Sequence, residues 1–252
     1  MKAIIIAAGM GIRLNPLTND KPKCMLEIKG KTILEHQLDV LHANGITDIS
    51  VIKGYKKEEI NYAGLKYYIN DNYRNNNILN SLFYAEEEMN DELIASYSDI
   101  LFGADVVRRL MESEEDIALV VDIDWKGYYE ERTEHPINEA ENVIFDADNN
   151  VVEIGKIVSN KRAVDGEFIG MLRCTKRGAE IFKEYFHKAK NELYGKPFVR
   201  AKTFDIAYLT DFIQYLVNNG VKVKCVTIER GWIEIDTVQD FERAEKKYNE
   251  IE

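Results

Sequence analysis

Short apolar runs alternate with amphipathic segments along the first half of the chain. Five runs have the length and composition of strands, at residues 3–7, 46–53, 67–69, 93–97 and 117–121. Segments with apolar residues at helical spacing lie at residues 32–44, 79–89 and 104–111, with a weaker one at 58–63. This alternation predicts an α/β fold built on a doubly wound, mainly parallel sheet with helices on both faces.

The second half of the chain has a different pattern. Residues 142–154 alternate around Asp148-Asn149-Asn150, which is a hairpin signal. Two further strands and three helices are predicted, at residues 167–174, 221–228, 176–190, 204–219 and 237–248. No repeat, low-complexity stretch or Pro/Gly/Ser-rich linker separates the halves. We therefore expect the second half to build onto the same sheet as a small β-rich layer.

Composition narrows the class of protein. The chain has 252 residues, enough for one large α/β domain with its own core. Its net charge of −11 argues against a nucleic-acid surface, and no apolar stretch approaches the roughly 20 residues of a membrane helix. Its three cysteines have no metal-ligand spacing, and the N-terminus shows no signal pattern. We expect a cytoplasmic protein, monomeric or homodimeric, without nucleic-acid partners or membrane insertion.

A loop with glycines and basic residues follows the first strand. It contains Gly9, Gly11 and Arg13, with Lys23 further on. Glycines let a backbone approach a phosphate, and fixed cations neutralise it. The dinucleotide fingerprint and the P-loop are both excluded, because Leu14 stands where each needs its last glycine. Open sheets bind ligands at this edge, so the loop predicts a nucleoside triphosphate site. The alternative is a glycine-rich turn without a ligand.

The full spelling of this loop resembles a known signature. Residues 7–18 read AAGMGIRLNPLT and are followed by Pro22-Lys23, and this resembles the sugar-phosphate nucleotidylyltransferases. The resemblance implies the Rossmann-like fold of nucleotide-diphospho-sugar transferases and transfer of a nucleotidyl group from a nucleoside triphosphate, with release of pyrophosphate. The nucleotide-binding residues that it implies are Ala7, Ala8, Gly9, Gly11, Arg13, Lys23, Asn80 and Ser81.

The same resemblance implies four catalytic residues. Arg13 would reach the β- and γ-phosphates and Lys23 the α-phosphate. Asp99, after the strand at 93–97, and Asp236, in the stretch Trp232-Ile-Glu-Ile-Asp-Thr, would hold a metal ion. Two aspartates with phosphate oxygens and water suit Mg²⁺. The alternatives are a turn aspartate at position 99 and a helix-start carboxylate at position 236.

Other segments are similar to the cytidylyltransferases of phosphocholine and of aminoalkylphosphonates. They are Asn80-Ser81-Leu82, Ser96-Tyr97-Ser98-Asp99 and residues 231–236, and the L-G-D-N spelling of the sugar enzymes is absent. The likeness implies CTP as donor and a small phosphorylated or phosphonylated acceptor, of the phosphocholine or 2-aminoethylphosphonate type. A sugar-1-phosphate nucleotidylyltransferase and a non-catalytic nucleotide-binding regulator are the alternative functions.

The acceptor is expected to bind residues of the second half. An aminoalkyl or choline group needs aromatic faces and a carboxylate. Asp124, Trp125 and Tyr129 offer both kinds of group after a core strand, although ordinary packing would also explain them. The family resemblance adds Lys156, Glu167 and Gly170. We expect one nucleotidyltransferase domain over 1–252, with residues 1–122 mainly binding nucleotide and 123–252 forming the acceptor-binding layer and lid.

Overall fold

A computed structural model of the chain describes residues 1–158 and 163–251. Over these ranges the strands are β1 (Lys2–Ala7), β2 (Glu27–Ile28), β3 (Lys31–Thr32), β4 (Asp48–Lys53), β5 (Lys66–Ile69), β6 (Leu93–Tyr97), β7 (Ile100–Phe102), β8 (Ile117–Asp122), β9 (Asn142–Phe145), β10 (Val151–Gly155), β11 (Gly166–Cys174), β12 (Lys224–Ile228) and β13 (Trp232–Glu234). The α-helices are α1 (Ile33–Ala43), α2 (Ile78–Leu82), α3 (Ala104–Met111), α4 (Lys176–Leu193), α5 (Leu209–Asn218) and α6 (Val238–Lys247).

A nine-stranded sheet forms the centre of the molecule. Its order is β10-β9-β11-β6-β1-β4-β5, and β8 pairs with both β11 and β12. The pairs β1–β4, β1–β6, β4–β5 and β8–β12 are parallel, whereas every pair that includes β11 is antiparallel. The predicted α/β fold is confirmed, and strands from both halves of the chain share the sheet.

Helices cover both faces of this sheet. Ile4 of β1 packs into a core cluster with Phe182 of α4 and Phe212 of α5, whereas its neighbour Ile5 packs into a second cluster with Leu34 of α1. Successive side chains of a strand point to opposite faces, so β1 is buried from both sides. A polar ligand can therefore approach β1 only at the ends of the strand.

The predicted hairpin at 142–154 is confirmed. Strands β9 and β10 pair antiparallel, and Asn149 adopts the left-handed φ of 58° that the turn requires. The hairpin adds to the sheet edge through β9 and β11 rather than forming a separate layer. None of the described helices has the length and apolar character needed to cross a membrane.

Three predicted helices differ from the structure. The weak helix at 58–63 was wrong, because only the 3₁₀ turn Lys57–Glu59 forms there and a six-residue segment does not repay the cost of helix nucleation. The helix at 79–89 is α-helical only in α2 and continues as the 3₁₀ segment Phe83–Glu88, with a kink at Ala85. The helix predicted from 204 begins at Leu209, because Asp211 accepts the backbone N–H of Tyr208 at 3.0 Å and ends the preceding loop.

Candidate active site

A cavity of about 260 Å³ opens at the carboxyl ends of β1 and β6, beside the glycine loop. Among the described residues, six acidic and three basic side chains line it: Asp99, Glu139, Glu141, Glu167, Glu234, Asp236, Arg13, Lys23 and Lys156. The lining therefore carries a formal excess of three negative charges before any ligand enters. Bound cations would stabilise this negative charge, as the two basic groups of the loop, Arg13 and Lys23, already do.

The glycine loop is tied back so that its backbone faces the cavity. Gly11 has φ 59° and ψ 39°, a left-handed conformation that favours glycine. Its carbonyl oxygen accepts the backbone N–H of Leu14 at 2.9 Å and the hydroxyl of Thr18 at 2.8 Å. A Cβ atom at Gly9 would meet no described atom within 4 Å. The loop thus leaves room at Gly9 for a ligand, and the two hydrogen bonds to Gly11 hold its base.

Lys23 lies between the two aspartates that the family resemblance singled out. Its Nζ is 2.9 Å from Asp99 Oδ2 and 2.5 Å from Asp236 Oδ1, and Arg13 Nη2 pairs with Asp236 Oδ2. Burial disfavours the charged form of Lys23, but the two carboxylates outweigh it and raise its pKa. Burial likewise opposes ionisation of Asp236, yet Lys23, His135 and Arg13 hold its pKa well below the ordinary value.

Strand pairing brings these distant aspartates together. Strand β13 pairs antiparallel with β7, and the backbone N–H of Ile235 donates to Asp99 O at 2.9 Å. Asp236 then precedes Thr237, the N-cap of α6. Asp240 Oδ2 accepts the backbone N–H groups of Asp236 and Thr237, at 3.2 and 3.0 Å. The capping residues of α6 therefore fix the turn that carries Asp236, and they also accept backbone N–H groups at the start of the helix.

The aspartate pair fits a divalent cation. Asp99 Oδ1 is buried and has no hydrogen-bond partner among the described residues, while its Oδ2 and the Asp236 carboxylate hold the ammonium of Lys23. Buried carboxylate oxygens are normally paired, so this oxygen has a free coordination position. Carboxylates with water and phosphate oxygens are the donors that hard divalent cations prefer.

Three glutamates form an acidic wall in the same cavity, which we define as Glu141, Glu167 and Glu234. Burial raises the pKa of Glu141 to about 8, and burial together with the charge of Glu234 raises the pKa of Glu167 well above its ordinary value. Burial and the neighbouring Asp236 also raise the pKa of Glu234. Glu167 accepts the hydroxyl of Tyr129, and its other oxygen, Oε2, is buried without a partner among the described residues.

The other predicted acceptor residues of the second half also reach this cavity. Lys156 Nζ is 2.7 Å from Glu139 Oε2 and 5.3 Å from the centre of the Tyr208 ring. Gly170 has φ 85°, and a Cβ there would lie 2.4 Å from Cδ2 of Tyr97, so glycine is required for that ring to pack against the cavity wall. Lys156, Glu167 and Gly170 therefore line the same cavity, and their contacts with an acceptor stay a prediction.

The aromatic run is placed elsewhere. Trp125 is buried against Tyr129 and Ala140 in a small apolar cluster of its own, and Asp124 lines a different cavity beside α6. Tyr129 reaches the site through its hydrogen bond to Glu167, and its ring centre lies 6.2 Å from that of His135. In the described structure none of the three predicted residues lines the active-site cavity, because the run serves to pack the segment 123–141 onto the sheet. The ordinary packing weighed above accounts for Trp125.

Two of the predicted nucleotide-binding residues, Asn80 and Ser81, also lie outside the cavity lining. Asn80 donates to the backbone oxygens of Phe204 and Asp205 at 2.9 and 3.1 Å, and Ser81 Oγ accepts from Asn70 at 2.9 Å. Both side chains tie segments of the chain together, and neither lines the cavity. The start of α2, Asn77 and Ile78, lines the cavity instead. Ala7 lines it too, whereas Ala8 is buried and its carbonyl oxygen accepts from Tyr55.

Several lining residues carried no signal that sequence reasoning used. His135, Glu139 and Glu141 lie in an irregular stretch without a strand or helix period. Glu234 stands inside the Trp232–Asp236 stretch and could have been found there, since it is two residues before the metal candidate and shares its strand face. His135 is buried with Nδ1 3.1 Å from Asp236 Oδ2.

Comparisons with known proteins identify the family and the fold. The family model described as MobA-like NTP transferase domain matches residues 3–140. A CTP:phosphoglutamine cytidylyltransferase of Campylobacter jejuni is 32% identical over 254 residues, covering 96% of this chain and 98% of the relative. The structure of a CTP:phosphocholine cytidylyltransferase from Streptococcus pneumoniae superposes with a TM-score of 0.72 at 24% identity, covering 98% of both chains. That of an inositol-1-phosphate CTP transferase from T. maritima gives 0.75 at 21%, covering 99% of this chain and 95% of the other. The sheet thus has the nucleotide-diphospho-sugar transferase fold.

Proposed function

Because this chain belongs to the MobA-like NTP transferase family and is a nucleotidyltransferase, we propose that it transfers CMP from CTP to a small phosphorylated or phosphonylated acceptor, with release of pyrophosphate. The observation that carries the proposal is Lys23 held between Asp99 and Asp236 beside the glycine loop. CTP rests on the full-length likeness to a cytidylyltransferase. Residues 1–122 would mainly bind the nucleotide and residues 123–252 the acceptor.

In this reaction an oxygen of the acceptor attacks the α-phosphorus of CTP in line with the leaving pyrophosphate. The attacking phosphate is already ionised, so the protein needs no general base and contributes positioning and charge neutralisation. Lys23 lines the cavity and would neutralise charge at the α-phosphorus, while Arg13 would bind the outer phosphates from the loop. Both groups now pair with Asp236, so triphosphate binding would exchange these ion pairs for phosphate contacts.

Enzymes of this family generally use divalent metal ions. Asp99 and Asp236 would hold the ion here, and we propose Mg²⁺, which when bound would neutralise phosphate charge between the two carboxylates. Asp99 contributes its unpartnered Oδ1, and the start of α6 orients Asp236. The two carboxylates that would hold the ion are therefore in place before the substrate binds.

The acidic wall points to an acceptor with a cationic group. Glu141, Glu167 and Glu234 face a cavity that already has more acids than bases, and a bound ammonium would stabilise their ionised forms. The Tyr208 ring and the Tyr97 ring add aromatic faces. Lys156, beside the same wall, would bind the acceptor phosphate. An acceptor with both an amine and a phosphate or phosphonate matches these groups, as phosphocholine and 2-aminoethylphosphonate do.

A pyrophosphate-release screen tests the proposal. It crosses CTP, UTP, ATP, GTP and dTTP with phosphocholine, 2-aminoethylphosphonate, phosphoglutamine, inositol-1-phosphate and glucose-1-phosphate, in the presence of Mg²⁺. We expect release with CTP and an amine-bearing acceptor. Release should fall on the order of a hundredfold in Asp99→Asn and be retained in the matched control Asp105→Asn, whose carboxylate is exposed on α3. Release only with glucose-1-phosphate would establish the sugar-1-phosphate alternative, and nucleotide binding without release would establish a regulatory protein.

A further inference from the structure

A second group of metal-ligand side chains lies beside the aspartate pair. His135, Glu234 and Asp236 each offer one ligand atom, and these atoms lie within 4.8 Å of one another. His135 Nδ1 is 3.1 Å from Asp236 Oδ2, and its Nε2 is 3.8 Å from Glu234 Oε2. His135 comes from the loop after Tyr129, whereas Glu234 ends β13 and Asp236 follows it. The two segments are far apart in the sequence, so no local pattern predicts that they meet.

The imidazole of His135 is the unusual member of this group. The residue is 3% exposed, and its Nδ1, which lies 3.1 Å from Asp236 Oδ2, has no hydrogen-bond partner within the part of the chain that the structure describes. Buried polar nitrogens are normally hydrogen-bonded. The unpartnered Nδ1 lies beside the Asp236 carboxylate and Nε2 beside Glu234, so the buried ring has the placement of a metal ligand.

The surrounding residues hold this group in place. Arg132, whose side chain is fully buried, donates from Nη2 to Glu234 Oε2 at 2.9 Å and from Nε to Asp240 Oδ1 at 2.7 Å. Asp240 in turn accepts the backbone N–H of Asp236. The two carboxylates and the segment that carries His135 are thus fixed by one buried network, as is typical of the groups around bound metals.

We propose that His135, Glu234 and Asp236 form a second cation site, selective for a transition-metal ion such as Zn²⁺ or Co²⁺. One imidazole with two carboxylates favours these ions, whereas Mg²⁺ and Ca²⁺ prefer oxygen ligands alone. Asp236 would bridge this site and the Asp99 pair, so that two ions could stand on either side of one carboxylate. The inference deepens the proposed function, because Asp236 belongs to both sites.

Metal binding is measured without nucleotide or acceptor, so its outcome is independent of the enzyme assay. The metal-free full chain is titrated with Co²⁺, and bound cobalt is followed by its visible absorption and by equilibrium dialysis with elemental analysis. We expect the chain to bind Co²⁺ with a visible spectrum typical of a cobalt ion that has a nitrogen ligand. His135→Gln and Glu234→Gln should each weaken this binding at least about tenfold, whereas Asp99→Asn should retain the spectrum. His187→Gln, which changes an exposed histidine paired with Glu86, is the matched control.

Three results would overturn the second site. One is no cobalt spectrum from the wild-type chain. Another is unchanged affinity in His135→Gln, which would mean that His135 packs beside the two carboxylates without binding an ion. The third is loss of the spectrum in Asp99→Asn but not in His135→Gln, which would assign the ion to the aspartate pair alone. Circular dichroism of each variant checks folding, and Glu234→Gln provides the second test if His135→Gln does not fold.

Discussion

Replacing Arg132 by methionine should destabilise the protein strongly. The side chain is fully buried, binds Asp240 and Glu234, and lies 4.7 and 4.9 Å from the centres of the Tyr128 and Tyr129 rings. Burial opposes the charge of Arg132, but its hydrogen bonds to Asp240 and the neighbouring negative charges raise its pKa, so the guanidinium stays ionised. Arg132→Met keeps much of the apolar volume and removes only the cation.

The expected cost follows from the charges that are left behind. Removing one partner of a buried ion pair costs about 3–5 kcal/mol, because the remaining carboxylate stays buried without its cation. Asp240 is 1% exposed in its side chain, and Glu234 is 22% exposed, so water can relieve Glu234 but not Asp240. Arg132 Nη1 is itself unpartnered among the described atoms, and its loss offsets part of the cost. We expect about 3 kcal/mol.

Urea unfolding followed by circular dichroism measures this cost. With a denaturant slope of about 3 kcal/mol/M, the midpoint of Arg132→Met should fall by about 1 M at an unchanged slope. Arg177→Met is the matched control, since Arg177 is 79% exposed and lies 3.5 Å from Asp116, and it should change the free energy of unfolding by less than about 0.5 kcal/mol. A cost for Arg132→Met below about 1 kcal/mol would refute the reasoning, because Asp240 would then be solvated or neutral.

Two further predictions concern the charges of the active-site cavity. Lys23→Ala and Asp99→Asn should each lower the turnover number on the order of a hundredfold, through lost transition-state electrostatics; full pyrophosphate release from either folded variant would refute the role proposed for that residue. Burial raises the pKa of Glu141 from about 4.5 to about 8, so its contribution to stability is complete below pH 4.5 and is lost as the pH rises through 8. The urea midpoint should therefore fall between pH 5 and pH 8.5 by more in the wild type than in Glu141→Gln, and equal falls in both would show that Glu141 ionises normally.

Local patterns predicted most of the elements correctly. Strand β6 and helix α3 have the predicted bounds, and the β9–β10 hairpin forms around the predicted turn. The glycine loop lies at the end of β1, beside the cavity, as its spelling indicated. In each case the signal lies within about a dozen neighbouring residues, which is the range over which periodicity and turn preferences act.

The acceptor side of the site was predicted less well. Trp125 and Asp124 had suitable chemistry but lie away from the cavity, whereas Glu141 and His135 line it without a recognisable pattern. An aromatic side chain lowers the free energy by burial wherever it packs, so its chemistry alone does not say whether it faces a ligand or the core. The same limit applies to Asn80, whose amide ties two loops together.

The amino-acid sequence by itself determined the strand–helix order, the glycine loop and the identity of the charged residues Lys23, Asp99 and Asp236. Only the tertiary structure decided that these charges meet, because β7 and β13 pair across 130 residues of chain and place Asp99 next to Ile235. It also decided that Arg132 and His135 turn towards the end of β13 rather than to solvent. Side-chain periodicity reports which face of an element is buried, whereas long-range pairing depends on the packing of the whole sheet and determines which buried groups share a cavity.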